Sequence, residues 1–410
     1  MAVRTVHPFP ARMAPEIALD CIPLAENGRA QLILDPMCGS GTVLSAAMQR
    51  GHHAIGIDLD PLAILMTRVA TSPIDTSQCD GLREQVVNAA TSDRETGLPW
   101  RDDETRQFAE YWFADRQRVQ LARLSRAIAD LPPGPLRELA QVSLSRTVIT
   151  KAPKASLAAD TSHSRPHRVG ITSNYDVIAG FSLAIKDLTR ILDARKLMGS
   201  AEVALGDCRR LDSIGDASID MVVTSPPYLN AIDYIRGHKF ALIWLGYSIP
   251  QLRAVRSSII GAERALDGPP EPLALKLVRH IEREAIDSTR LPMSTLVRYS
   301  HDLVRFARQM KRVMKPGARL IAVVGNSTLR GNFIRNDCLV ERALQHNGFK
   351  TDQRTERTLP ENKRYLPITT TEPQSSITRR MRTETILHMA APRLWAQGSH
   401  SEDSLDTNNN

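Results

Sequence analysis

Two hydrophobic periods share this chain of 410 residues. Short, largely apolar runs at 32–34, 54–58, 202–207, 219–223 and 320–324 read as strands, the one at 219–223, interrupted by Asp220, as a buried strand. Residues 383–389 read as a final strand. Between the runs the spacing widens to the helical period. It predicts helices over 43–50, 105–129, 136–149, 175–194, 240–245, 295–314 and 337–347. Trp112, Val119, Leu121, Leu124 and Ile128 form the expected inner face of the second of these; Phe181, Ile185, Leu188 and Leu192 that of the fourth. Leu131-Pro132-Pro133-Gly134-Pro135, Lys315-Pro316-Gly317 and Gly348 are stop signals. Strands alternating with helices predict an α/β fold. The strand pattern disappears between about 71 and 174 and then resumes, so the sheet is interrupted by a largely helical insertion. This divides the chain into a catalytic domain of 1–70 and 175–395, an inserted region of 71–174, and a polar tail, 397–410, expected to be disordered. Pro269-Pro270 and the charged stretch to 290 read as a connector.

The punctuation after two strands carries chemistry. The run 219–223 ends in Thr224-Ser225-Pro226-Pro227-Tyr228. Prolines lack the N–H that a central strand needs, so the strand stops in a stiff turn. That turn presents a hydroxyl, unpaired carbonyls and an aromatic ring at the C-terminal edge of the sheet, where α/β folds bind ligands. Upstream, 32–34 runs into Asp35-Pro36-Met37-Cys38-Gly39-Ser40-Gly41-Thr42, then a helix, then a second strand ending at Asp58. Strand, glycine turn, helix, strand and acid follow the logic of a nucleotide-binding unit. The glycines admit a ligand close to the backbone, and Asp58 suits ribose hydroxyls. A third small residue is absent after Gly41, so this is not the dinucleotide fingerprint, and no Gly-Lys-Ser/Thr makes it a P-loop.

With these residues in view, the chain resembles the S-adenosylmethionine-dependent amino-methyltransferases of DNA bases. His7-Pro8-Phe9-Pro10-Ala11-Arg12, the stretch 35–42, Gly56-Ile57-Asp58-Leu59-Asp60-Pro61, Gly206-Asp207, Ser225-Pro226-Pro227-Tyr228 and Val313-Met314-Lys315-Pro316-Gly317 match that family's elements over most of the chain. The resemblance implies a Rossmann-like, mostly parallel seven-stranded sheet. It implies S-adenosylmethionine as cofactor, S-adenosylhomocysteine as product and no metal. Phe9, Asp35, Pro36, Cys38, Gly39, Ser40, Gly41, Thr42, Asp58 and Asp207 become the expected cofactor residues. Asp35 is expected near the methionine amino group and Cys38 as a small packing residue. Asp207 either faces the adenine amino group or is a plain turn residue. Ser225, Pro226, Pro227 and Tyr228 become the expected catalytic residues. In that family Ser-Pro-Pro-Tyr marks cytosine-N4 enzymes, and Asp- or Asn-Pro-Pro-Tyr adenine-N6 enzymes. The implied partner is DNA with its target base flipped out, and a cognate restriction endonuclease fits the same picture. One departure stands out: the largest insertion falls between the second and third strands, where family members do not usually place target recognition.

A formal net charge of +8 favours a polyanionic partner. Lys151, Lys154, Arg165 and Arg168 concentrate positive charge in a Ser-rich segment that reads as a loop on a nucleic-acid surface or as a solvated loop. Asp233, Tyr234 and Arg236 shape a base pocket or cap and pack the following helix. The five cysteines have neither zinc nor disulfide spacing. The histidines have no metal-like spacing either. No apolar run is long enough to cross a membrane, and a cytoplasmic protein is expected. Adenine N6 of DNA, a base in RNA, and a nucleic-acid-binding regulator without catalysis are the competing functions. A dehydrogenase is disfavoured by the missing third glycine.

Overall fold

The computed structural model describes residues 5–9, 12–26, 28–92, 97, 99–227, 229, 233–261, 266, 268–284, 291–329, 332–358 and 383–393. Tyr228 and the tail 397–410 lie outside the described residues. Seven strands form the main sheet: β1 (Leu32–Asp35), β2 (His53–Asp58), β3 (Ser200–Leu205), β4 (Ile219–Thr224), β5 (Met314–Gly325), β6 (Lys350–Thr358) and β7 (Thr383–Ala390). Their order is β6-β7-β5-β4-β1-β2-β3. β7 runs antiparallel to both β5 and β6, and the other neighbouring pairs are parallel. The central strands β1 and β4 are buried along nearly their whole length, which is why they read as mostly apolar runs. Order reverses between β1 and β4, and the crevice beyond their C-terminal ends is the expected ligand position.

Helices α1 (Pro15–Cys21), α2 (Thr42–Gln49) and α3 (Pro61–Thr71) belong to the first half. The insertion contributes α4 (Cys79–Thr91), α5 (Asp103–Trp112), α6 (Asp115–Ala129) and α7 (Pro135–Val148). α8 (Val177–Asp193) returns the chain to β3. These helices share one apolar core with α3 and with α9 (Tyr234–Leu242), so the boundaries drawn at 70 and 175 fall inside that core. α10 (Ile249–Ser258), α11 (Pro272–Glu284), α12 (Met293–Val313) and α13 (Asn336–His346) complete the set, with the last three packed on the opposite face of the sheet.

Three expectations need correcting. The helix predicted over 105–129 is two helices, α5 and α6. Phe113, fully buried with an extended backbone, breaks it by turning its ring into the core against Trp244. Val119, placed on the inner face, is 50% exposed. The stretch after Pro269-Pro270 contains helix α11, because Ala274, Leu277, Val278 and Ile281 recur at helical spacing and are buried.

Candidate functional site

The glycine turn leaves β1 and enters α2. Gly39 has φ +50° and Gly41 φ +79°, the left-handed region. A Cβ on Gly41 would lie 2.9 Å from Thr67 Cγ2 and 3.2 Å from Thr67 Cα, so the position is closed to a side chain on two counts. Thr67 also donates from its hydroxyl to Gly39 O at 2.9 Å, tying the turn to α3. Asp58, at the end of β2, holds the same turn. Its Oδ2 accepts from Gly39 N at 2.9 Å and its Oδ1 from Asp60 N at 2.9 Å.

The second motif arrives beside the first because β4 pairs with β1. Thr224 Oγ1 donates to Asp35 Oδ1 at 2.8 Å, bridging residues 189 apart. Met37 N donates to that oxygen as well, at 3.2 Å. Ser225 Oγ donates to Val323 O on β5 at 2.9 Å. The hydroxyl proton is thereby committed to the sheet, and towards the cavity the oxygen is an acceptor. Pro226 is buried; Pro227 O accepts from Tyr299 Oη on α12 at 3.2 Å.

Phe9, Asp35, Pro36, Cys38, Gly39, Ser40, Thr42, Asp58, Ser225 and Pro227 line one cavity, open to solvent. Ser40 Oγ is buried there without a hydrogen-bond partner, as a group awaiting a polar ligand would be. Gly41 shapes the turn from behind rather than lining the cavity. Asp207 stays out of the lining, although its neighbours Gly206 and Cys208 are in it. Its carboxylate is held by Arg209 Nε at 2.9 Å and Nη2 at 2.7 Å. Burial pushes Asp207 up, but the hydrogen bonds from Arg209 outweigh it and the net shift is downward. Arg209 continues to Asp302 on α12 at 2.7 Å, a buried pair.

Electrostatics mark the two motif acids. Burial pushes Asp35 up to about 7, against the hydrogen bond from Thr224. Burial, and then the neighbouring Asp60 carboxylate, push Asp58 up to about 6. A cationic ligand would restore both to the ionised form. Cys38 is buried and its thiol is pushed well up by that burial, which fits a packing residue. Among the described residues no group of three or more His, Cys, Asp or Glu is placed to hold a metal.

Some lining residues escaped the sequence reading. Asp60 had a signal, since an acid before Pro61 is a helix-cap pattern, and it caps α3 through Leu62 N. Tyr234 stacks on Phe9 with ring centroids 4.8 Å apart and planes at 16°. Of the residues at 233–236, Asp233 caps α9 and pairs with Arg256, while Tyr234 lines the cavity. Ile259 and Ile260 also line it, and nothing in their local pattern announces that.

Lys151, Lys154, Arg165 and Arg168 are exposed. Their segment is built rather than loose. Thr161 Oγ1 is bonded to Thr150 N and Val148 O, and Ala158–Ala159 pair with His167–Arg168. The turn at Thr161–His163 packs on α9, and Ser164 Oγ donates to Tyr234 O at 3.4 Å. The basic segment therefore adjoins the cavity's rim.

Comparison with known proteins agrees with this geometry. The UPF0020 family model, an RMKL-like methyltransferase domain, matches residues 3–93. The type II methyltransferase M.MvaI of Kocuria varians is 21% identical over 387 residues, covering 83% of this chain and 80% of its own. M.MjaII of Methanocaldococcus jannaschii, also a type II methyltransferase, is 28% identical over 86 residues, 21% of this chain and 16% of its own. A solved putative DNA modification methylase of Thermus thermophilus, complexed with S-adenosyl-L-methionine, is 18% identical with a TM-score of 0.25, over 48% of this chain and 57% of its own. The glycine turn lies inside the matched domain, and the sheet is seven-stranded and mostly parallel, as expected. By these matches the chain is similar to methyltransferases over most of its length.

Proposed function

We propose that the chain transfers a methyl group to the exocyclic N4 amino group of cytosine in DNA. One observation carries the reading. Ser225 offers an acceptor oxygen to the cavity that Asp35 and Gly39 line, and Thr224 ties that turn directly to Asp35. When bound, S-adenosylmethionine supplies an electrophilic methyl on a sulfonium. Asp35 would accept from its amino group, Asp58 from its ribose hydroxyls, and Ser40 from a further polar group, with Phe9 packed alongside. Asp207 acts through the backbone beside it, at Gly206 and Cys208.

A cytosine amino group is a weak nucleophile because its lone pair is delocalised into the ring. Accepting hydrogen bonds from both N–H groups draws the nitrogen towards tetrahedral geometry and frees the pair. Ser225 Oγ and the Pro226 carbonyl are the acceptors, and Tyr228 is assigned to stacking on the base. On transfer the nitrogen lone pair would form the bond to the methyl carbon, the carbon–sulfur pair would leave with S-adenosylhomocysteine, and the extra proton would pass to solvent. Catalysis on this account is positioning and electrostatics. The target atom is inaccessible inside a duplex, so the base is flipped out. Lys151, Lys154, Arg165 and Arg168 grip phosphates beside the rim, and 71–174 contributes to target recognition. A cognate restriction endonuclease belongs to the same proposal.

Incubating the full chain with methyl-labelled cofactor and unmethylated genomic DNA, then hydrolysing the DNA to nucleosides, tests this. The expected product is 4-methylcytosine. 6-Methyladenine would move the activity to adenine N6, label in RNA alone would change the substrate, and no label would leave only a binding protein.

A further inference from the structure

Asp60 and His238 lie 178 positions apart in sequence and meet at the cavity wall. His238 Nδ1 donates to Asp60 Oδ2 at 2.5 Å. The other Asp60 oxygen accepts from Leu62 N, and the Asp60 N–H donates to Asp58 Oδ1. Asp58 Oδ2 in turn holds Gly39 N. One line of hydrogen bonds thus runs from helix α9 into the glycine turn. One helical turn before His238, the same helix carries Tyr234, which stacks on Phe9. The Phe9 ring covers Gly39: a Cβ there would lie 3.1 Å from Phe9 Cε1. α9 is therefore joined to the turn twice, by polar bonds through Asp60 and by rings through Phe9.

His238 is 1% exposed. Nδ1–H is committed to a carboxylate, and Nε2 is buried with no hydrogen-bond partner. Burying an unsatisfied polar atom is costly, so a residue that only filled this space would be better apolar. The benefit lies at Nδ1.

We infer that His238 is a positioning residue for cofactor binding. Its Nδ1–H fixes Asp60, Asp60 fixes Asp58, and Asp58 sets the Gly39 backbone against which the ligand rests. The inference rests on the cavity being the cofactor site and is independent of which base is methylated.

Asparagine can present an amide N–H near the place of Nδ1. Glutamine, closer to histidine in volume, presents it near Nε2, where no acceptor lies. Titration calorimetry with S-adenosylhomocysteine on the full chain separates these cases without nucleic acid. H238N is expected to bind within about threefold of the parent, and H238Q and H238A about tenfold more weakly, as for loss of a charge-assisted bond. The D60N/H238A pair is expected to lose no more than H238A alone. Glutamine retaining affinity better than asparagine would overturn the inference, because volume would then decide. Equal binding by all variants, loss in H238N as large as in H238A, or additive losses in the double variant would overturn it too. If H238A fails to fold, the asparagine and glutamine variants decide between them.

Discussion

Asp35 combines burial with a proposed role that needs its charge, and this conflict can be measured. Its carboxyl is pushed up to about 7 from an ordinary 3.8. Between those values the folded chain binds a proton that the unfolded chain has released. The stability associated with Asp35 is therefore fully present below pH 3.8 and is lost as pH rises towards 7. Integrated from pH 5 to 8, the loss is about 3 kcal/mol from this residue. Asp58, raised to about 6, adds about 1 kcal/mol in the same direction. Asp35→Asn removes the titration while sparing the internal bonds. Both Thr224 Oγ1 and Met37 N bond to Oδ1, which an amide oxygen replaces. The amide NH2 then takes the place of Oδ2 and presents a donor to a ligand amino group. Denaturant unfolding of the ligand-free chain at pH 5 and 8 is the assay. The parent should lose about 3 kcal/mol more than D35N over that interval, and D35N should match or exceed the parent in stability at pH 8. S-adenosylmethionine should nevertheless bind D35N poorly, and should bind the parent more tightly as pH rises through 7. Parent and variant losing stability in parallel would refute the reasoning.

Gly41→Ala should cost about 2–4 kcal/mol, from a left-handed backbone and the clash with Thr67, and should abolish cofactor binding in calorimetry. Replacing Arg165 and Arg168 by Gln should reduce the slope of log affinity against log salt for duplex DNA by about 0.9 per lost phosphate contact, with S-adenosylhomocysteine affinity unchanged. Asp302→Ala removes the carboxylate shared by the buried Arg209 and Arg298, while Asp207 still pairs with Arg209, and should destabilise the fold by about 1–3 kcal/mol in denaturant unfolding.

What the sequence revealed follows from where each element lies. β1, β4 and β5 are covered on both faces, so an apolar run was the only pattern they could present. β6 was invisible because an edge strand of Lys, Thr, Asp, Gln, Arg and Glu has little to bury. α11 hid its apolar stripe behind a Pro-Pro pair and dense charge. The break at Phe113 has no glycine or proline, since tertiary packing of one ring causes it. At the site, the glycine turn and the Ser-Pro-Pro turn were readable because each is contiguous. Their meeting through Thr224 and Asp35, the pairing of Asp60 with His238, and the diversion of Asp207 to Arg209 depend on contacts between elements. No local spacing encodes the first two, and Arg209 looked like one basic residue among many.

The most direct test of the central claim is a single-turnover methyl-transfer assay on unmethylated DNA, comparing the parent with Ser225→Ala after matching their S-adenosylmethionine occupancy. If Ser225 supplies the acceptor that activates the amino nitrogen, transfer should fall by about 10²-fold or more while cofactor affinity stays within a factor of about two. Transfer at the parental rate by S225A would contradict the account.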